Sequence, residues 1–204
     1  MPDSVKAILL VVGASASAAT MHNIVRYLTV EEGLHAFEVA FFRGFLGLII
    51  FIPVIARNGF GLFRTDMLPW HLGRGLVNAG AMLCMITALS LIPVGDVAAI
   101  SLVGPVFVAL LAIFFLGEKV GPRRWLGISL AVAGAFVVVR PGFVAINLGT
   151  VLVLMAVFLV SNSKVMAKML SRHDSPTTIV AYVTLLMTPV TLIPALFVWQ
   201  WPNL

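Results

Sequence analysis

Charge is scarce in this sequence. One residue in ten is Asp, Glu, Lys or Arg, where a water-soluble domain carries about one in four. So little charge cannot make a wetted surface, so a soluble globular fold is excluded and lipid is the expected solvent. Acids are scarcer still, 8 against 13 Lys plus Arg. The net charge of +5 does not imply nucleic acid, because the cations fall at the ends of apolar runs. Cys84 is the single cysteine, so no internal disulfide can form, and it reads as a small buried side chain in an apolar run. There is no His-Glu-x-x-His and no acid pair at membrane depth. The four histidines, His22, His35, His71 and His173, are scattered. An intramembrane enzyme would need such groups at helical spacing, so none is expected, nor any metal or cofactor.

What is abundant is apolar sequence: 61% of the 204 residues are hydrophobic. A membrane span needs roughly 20 such residues. Seven runs qualify, at 6–28, 37–56, 72–92, 96–116, 124–139, 148–170 and 177–199. The fifth is short and extends back to Pro122, a residue suited to a first helical turn. The first run is too long for a signal h-region and ends in charge without an A-x-A-like site, so it reads as a span. Lys6, Arg57, Arg64, Arg74, Lys119, Arg123, Arg124, Lys168 and Arg172 fall on one side if the spans alternate. Lysine and arginine concentrate in cytoplasmic loops, which places the N-terminus inside. The fold class is therefore all-α and polytopic, with about seven transmembrane helices. Asp96, at the start of the fourth, reads as an N-cap.

The chain has weak self-similarity. Sliding the first span onto the sixth, by about 142 residues, lays "MHNIVRYL" over "SKVMAKML". His22 then meets Lys164, and Arg26 meets Lys168. Five spans in the first unit would make the second copy insert upside down, the plan of inverted-repeat transporters. The expected units are residues 1–142, a five-helix repeat, and 143–204, the first two helices of a second. On this reading the chain is a truncated form or fragment of a five-plus-five, ten-span protein.

Helix 2 carries "FEVAFFRG", and the fourth and fifth spans read "SLVGPVFVALLAIFFLGEKVGPRRWLGISLAVAGAFVVVRPG". In these motifs the chain resembles the drug/metabolite transporter superfamily, in its EamA-type ten-helix branch. Arg43, Pro105, Glu118, Trp125, Gly127 and Gly134 match the family's pattern. "LHAFEVAFFR" looks most like the S-adenosylmethionine-uptake members. The resemblance implies permease activity in the cell inner membrane. The partners it implies are a small-molecule solute and the lipid bilayer, with a homodimer left open. One departure stands out. Small multidrug exporters of the superfamily carry a glutamate in their first helix, where this chain reads "GASASAAT".

Several polar groups fall inside the spans. Arginine in hydrocarbon costs between about 2.5 and 17 kcal/mol, depending on how it is measured. Arg43 should therefore face a cavity, a partner helix or backbone carbonyls, or snorkel outward to the membrane surface, as Lys164 could too. Glu38 is not its partner, since five residues turn a helix by about 140° and pairs meet at three or four. His22, Arg43, Asn78, Asn162 and Lys164 are the candidate substrate-binding residues. Glu118 is expected in an ion pair at the membrane surface. Pro105 and Pro189 are candidate helix kinks. Basic groups without a mid-membrane acid suit a solute bearing a carboxylate, such as an amino acid or S-adenosylmethionine. A remnant of such a permease without transport activity is the alternative.

Overall fold

The computed structural model describes residues 3–116, 121–139 and 147–199. These residues form helices α1 (Asp3–Val30), α2 (Ala36–Asn58), α3 (Leu68–Leu91), α4 (Val94–Ser101), α5 (Gly104–Leu116), α6 (Pro122–Val139), α7 (Leu148–Leu170) and α8 (Pro176–Phe197). A short 3₁₀ turn, Phe60–Phe63, joins α2 to α3. No strand occurs among the described residues. Six stretches are long and apolar enough to cross a membrane: 8–30, α2, α3, Val94–Phe115, α7 and α8. They match six of the seven expected spans. The expected fifth is α6, which begins at Pro122 and has 18 residues, about 27 Å at 1.5 Å per residue. Glu118 lies outside the described residues.

Local chemistry fixes the helix starts. His35 caps α2: its ring nitrogen accepts from the Phe37 N–H, and Glu38 reaches back to the His35 N–H at 3.3 Å. This reciprocal cap satisfies two orphan donors and accounts for an acid that is 1% exposed inside the bundle. Asn147 and Ser175 cap α7 and α8 through the N–H groups of Thr150 and Thr178. Asp96 is not a cap. It sits inside the first turn of α4, whose N-cap is Pro93, because the helix starts two residues earlier than expected.

The fourth span is not continuous. α4 ends at Ser101 and α5 begins at Gly104. The N–H groups of Leu102 and Val103 turn back to the carbonyls of Ala99 and Ile100, three residues earlier. Pro105 has no N–H to continue the α ladder. Pro53, Pro189 and Pro194, by contrast, lie within unbroken helices.

Contacts fix the helix directions. Arg26, near the end of α1, reaches the last turn of α3, so those two helices run the same way. Asp174, after α7, meets His71 at the start of α3, and Gly149 at the start of α7 lies against Ile92 after α3. α7 therefore runs opposite to α1 and α3. One end of the bundle carries the loop at 31–35, hereafter the Glu31 face. The other carries the α7–α8 loop and is called the Asp174 face.

α3 lies at the centre, packed on α7, α8, α2 and α1. Val39, Ala40, Met82, Ile86, Leu89 and Val153 join in the core. Two glycines permit the tightest approaches. A Cβ on Gly75 would lie 2.7 Å from Leu186 Cδ1, and one on Gly149 would lie 2.6 Å from Ile92 Cγ2. In lipid, such small-residue contacts let helices pack closely enough to gain dispersion energy. Outward side chains such as Ile50, Phe114 and Phe197 are mostly exposed, as expected where the solvent is hydrocarbon.

Val30 and Leu170 close α1 and α7, and His35 and Ser175 cap the helices that follow, each pair 140 residues apart. The two helix pairs thus share the length of their connecting loop, although α1 has 28 residues and α7 has 23. At that spacing His22 stands over Asn162 instead of Lys164.

Candidate functional site

Four permanent cations lie within the helices roughly 6–10 Å from a helix end, at 1.5 Å per residue. Two are committed to backbone. Arg26 Nη1 donates to the carbonyls of Leu89 at 2.9 Å and Ile92 at 2.6 Å, capping the carboxyl end of α3 as a cation should. Arg74 donates from Nε to Ser163 O at 3.2 Å and from Nη1 to Ile179 O at 3.0 Å, fastening α3 to α7 and α8. Arg26 therefore leaves the polar stripe that the spacing from His22 suggests. Arg74, expected near the start of the third span, stands six residues into the helix because α3 begins at Leu68.

Arg43 and Lys164 are different. Among the described residues, no hydrogen bond or carboxylate engages either one. Arg43 is placed about two turns into α2, toward the Glu31 face. It lines a pocket of about 220 Å³ with Gly44, Gly47, Met82, Thr184 and Met187. On its other side it borders a groove of about 810 Å³ between α1 and α2, walled by residues such as Thr20, Met21, Phe42 and Leu46. His22 is half-buried on α1, within coulombic reach of Arg43.

Lys164 is exposed on α7, toward the Asp174 face. It lines a cleft of about 570 Å³ at the α4–α5 break, with Met85, Ser101, Pro105, Gly127 and Ser161. This volume falls in the range of small-molecule sites. Ser161 Oγ lies 2.7 Å from Val157 O in its own helix and 3.3 Å from Gly104 O across the cleft. An interrupted helix beside a cavity is the arrangement in which a membrane protein can tolerate free backbone carbonyls. The cleft thus pairs a cation with small polar groups and an otherwise apolar wall.

The remaining candidates divide. Asn78 Nδ2 donates to Ser163 Oγ at 2.9 Å, joining α3 to α7. Asn162 is half-buried on α7. Pro105 and Gly127 border the Lys164 cleft, whereas Trp125 is exposed on α6 and a Cβ on Gly134 would meet open space. The structure therefore places His22 within coulombic reach of Arg43, and Lys164 beside the break at Pro105. It leaves Arg43 and Lys164 in separate clefts near opposite faces.

One polar cluster has no counterpart in the sequence reading. His71, fully buried, sets Nε2 2.8 Å from Asp174 Oδ2, and the Thr65 hydroxyl donates to the same oxygen at 2.8 Å. Partial burial pushes the Asp174 carboxyl up, but these hydrogen bonds and the neighbouring His71 and His173 outweigh it and hold it below the usual range. Its partners stand about 100 positions away in sequence, so no local motif announces them.

The sequence is similar to known transporters. Residues 5–140 match the EamA-like transporter family. The riboflavin transporter of Vibrio cholerae is 30% identical over 93% of this chain and 64% of its own length. The S-adenosylmethionine uptake transporter of Rickettsia bellii is 34% identical over 53% of this chain and 37% of its own. The pseudopaline exporter CntI of Pseudomonas aeruginosa is 30% identical over 82% and 59%. The chain spans about three fifths of the length of the riboflavin transporters it matches.

Proposed function

This chain belongs to the EamA-like transporter family, and we propose that the whole protein moves a small, anionic or zwitterionic metabolite across the inner membrane by alternating access. The observation that carries this reading is the contrast among the cations. Arg26 and Arg74 are satisfied by carbonyls. Arg43 and Lys164 have no such partner among the described residues and border cavities. An uncompensated cation at this depth is favoured where water, a lipid headgroup or a ligand reaches it, and the clefts give water and ligand that access.

The opposed directions of α1 and α7 support a five-plus-five inverted repeat, with residues 1–142 as the first unit and 143–204 opening the second. Two such units rocking about a central site would expose the Arg43 side and the Lys164 side in turn. Lys6, Arg57, Arg64 and Arg172 cluster at the Asp174 face, which makes that face cytoplasmic and the N-terminus internal. The relatives named above act on riboflavin, S-adenosylmethionine and pseudopaline. Of these, S-adenosylmethionine carries an amino-acid carboxylate, whereas riboflavin carries none. A carboxylate or phosphate on the solute is the group Arg43 and Lys164 would take in turn.

The test is flux through proteoliposomes containing the whole protein, with labelled amino acids, S-adenosylmethionine, riboflavin phosphate and neutral riboflavin offered separately. The expected result is saturable flux of at least one anion-bearing solute, several-fold above its neutral analogue. Equal flux for charged and neutral forms would remove the role given to the two cations.

A further inference from the structure

Arg43 and Gly47 border two cavities at once. Both line the pocket of about 220 Å³ that α2 makes with Met82 of α3 and with Thr184 and Met187 of α8. Both also line the groove of about 810 Å³ between α1 and α2. Residues four apart share one face of a helix, so a single stripe of α2 stands between the two spaces. Arg43 fills its position on that stripe with a long cationic side chain. The next position has no side chain. A Cβ built on Gly47 would meet nothing within 4 Å, whereas one on Gly44 would lie 3.5 Å from the Thr191 hydroxyl oxygen. Gly44 thus sits in a helix contact and Gly47 does not. Gly47 is also outside the left-handed region that favours glycine, and alanine would make a better helix there. Neither packing nor backbone conformation accounts for the missing side chain.

The two spaces differ in size and chemistry. Small-molecule sites run from about 300 to 1,000 Å³. The groove falls in that range, and the pocket falls below it. The pocket has room for a head group only. Its Thr184 hydroxyl already donates to Val180 O at 2.9 Å, so Arg43 is the donor left for an anion. The groove is walled by apolar side chains such as Met21, Ile24, Phe42 and Leu46. Its Ser17 and Thr20 hydroxyls donate to carbonyls of their own helix, Gly13 O and Ala16 O. It therefore offers burial to an apolar body. A bare carboxylate would gain the contact with Arg43 alone. A carboxylate joined to an apolar body would gain the groove as well. A phospholipid is a poorer match, because Arg43 lies about 10 Å along α2 from its start, below the level at which headgroup phosphates sit.

We propose that Gly47 is a specificity-determining position, and that its missing side chain lets an amphipathic anion bind with its carboxylate or phosphate on Arg43 and its apolar or aromatic body in the α1–α2 groove. A side chain at position 47 would stand between these two parts and admit only small anions. The solute class is thereby narrowed from any small anionic metabolite to one with a broad apolar body. The consequence for flux rests on the transport reading; the binding itself does not.

The experiment is equilibrium binding to the purified whole protein in nanodiscs of zwitterionic lipid, with empty nanodiscs as background. The probes are propionate, 3-phenylpropionate, indole-3-propionate and the neutral indole-3-propanamide. In the parent, affinity should rise at least tenfold from propionate to indole-3-propionate, and the amide should bind at least tenfold more weakly than the acid. In Gly47→Leu the ratio of indole-3-propionate to propionate affinity should fall at least tenfold. In Gly47→Ala it should fall by a smaller factor, which covers the case in which the leucine disturbs the helix. Gly13→Leu also enters open space but borders neither cavity, and should keep the parent ratio. Arg43→Gln should erase the preference for the acid over the amide. An unchanged ratio in both Gly47 variants, or a parent that binds propionate as tightly as indole-3-propionate, overturns the proposal. Displacement of the probe by phosphatidylglycerol added to the nanodiscs would overturn it too, by making the groove a lipid site. Flux in proteoliposomes is read alongside. The expected binding pattern with no solute flux would leave the role of Gly47 standing and sink the transport reading. Flux of small anions with no probe bound would do the reverse.

Discussion

Replacing Lys164 by alanine in the whole protein should lower transport efficiency at least tenfold without unfolding the helices around it. The side chain makes no hydrogen bond or ion pair among the described residues, so its loss removes no internal tie. What is lost is the cation in the 570 Å³ cleft beside the α4–α5 break. A hydrogen bond from a charged donor to a solute anion is worth about 1.5–3 kcal/mol, which is roughly a 10- to 150-fold effect. Lys164→Arg should retain part of the activity, because the charge survives while the geometry changes. The check is initial-rate flux beside a thermal-unfolding midpoint. Loss of both together would assign Lys164 a structural role instead.

Arg43→Ala should have an effect of similar size, felt from the other face. Arg43 stands between the 220 Å³ pocket with Met82 and Met187 and the larger α1–α2 groove. His22 shares its electrostatic neighbourhood. If the two halves present their cations in turn, Arg43→Ala should raise the apparent KM measured from the Glu31 face more than from the Asp174 face. Lys164→Ala should show the reverse. Arg26→Ala offers the contrast. Its guanidinium is bound to Leu89 O and Ile92 O, so stability falls before substrate affinity does. Inside-out and right-side-out vesicles separate the two KM values.

Hydropathy made most of the fold legible, because crossing lipid is a local demand on about 20 consecutive residues. The sixth span was placed at 148–170 and is observed there. Pro105 was a candidate kink and stands at the interruption of the fourth span, whereas Pro189, read the same way, lies within an unbroken helix. Where the polar side chains go was less legible. Arg74 was expected at the very start of the third span, yet it stands six residues into α3 because Leu68–Pro69 begin the helix early. Asp96 was expected to cap α4, and Pro93 does so instead. The clustering of His71, Thr65 and Asp174 depends on helix packing, which no window of sequence contains. Arg43 was singled out by its depth and its match to the family, and Lys164 by its repeat relation to His22. The structure adds that both border cavities and that Arg26 is bound to carbonyls.

The central claim is that Arg43 and Lys164 line water-filled clefts reached from opposite sides of the membrane. The most direct measurement is labelling of Arg43→Cys and Lys164→Cys, each in a Cys84→Ala background, with a membrane-impermeant thiol reagent applied to one side at a time. The account predicts that the position-43 thiol labels from the Glu31 face and the position-164 thiol from the Asp174 face, with solute slowing both. Two thiols that stay unlabelled from either side would mean that these sites are sealed in lipid or protein, and the account would be contradicted.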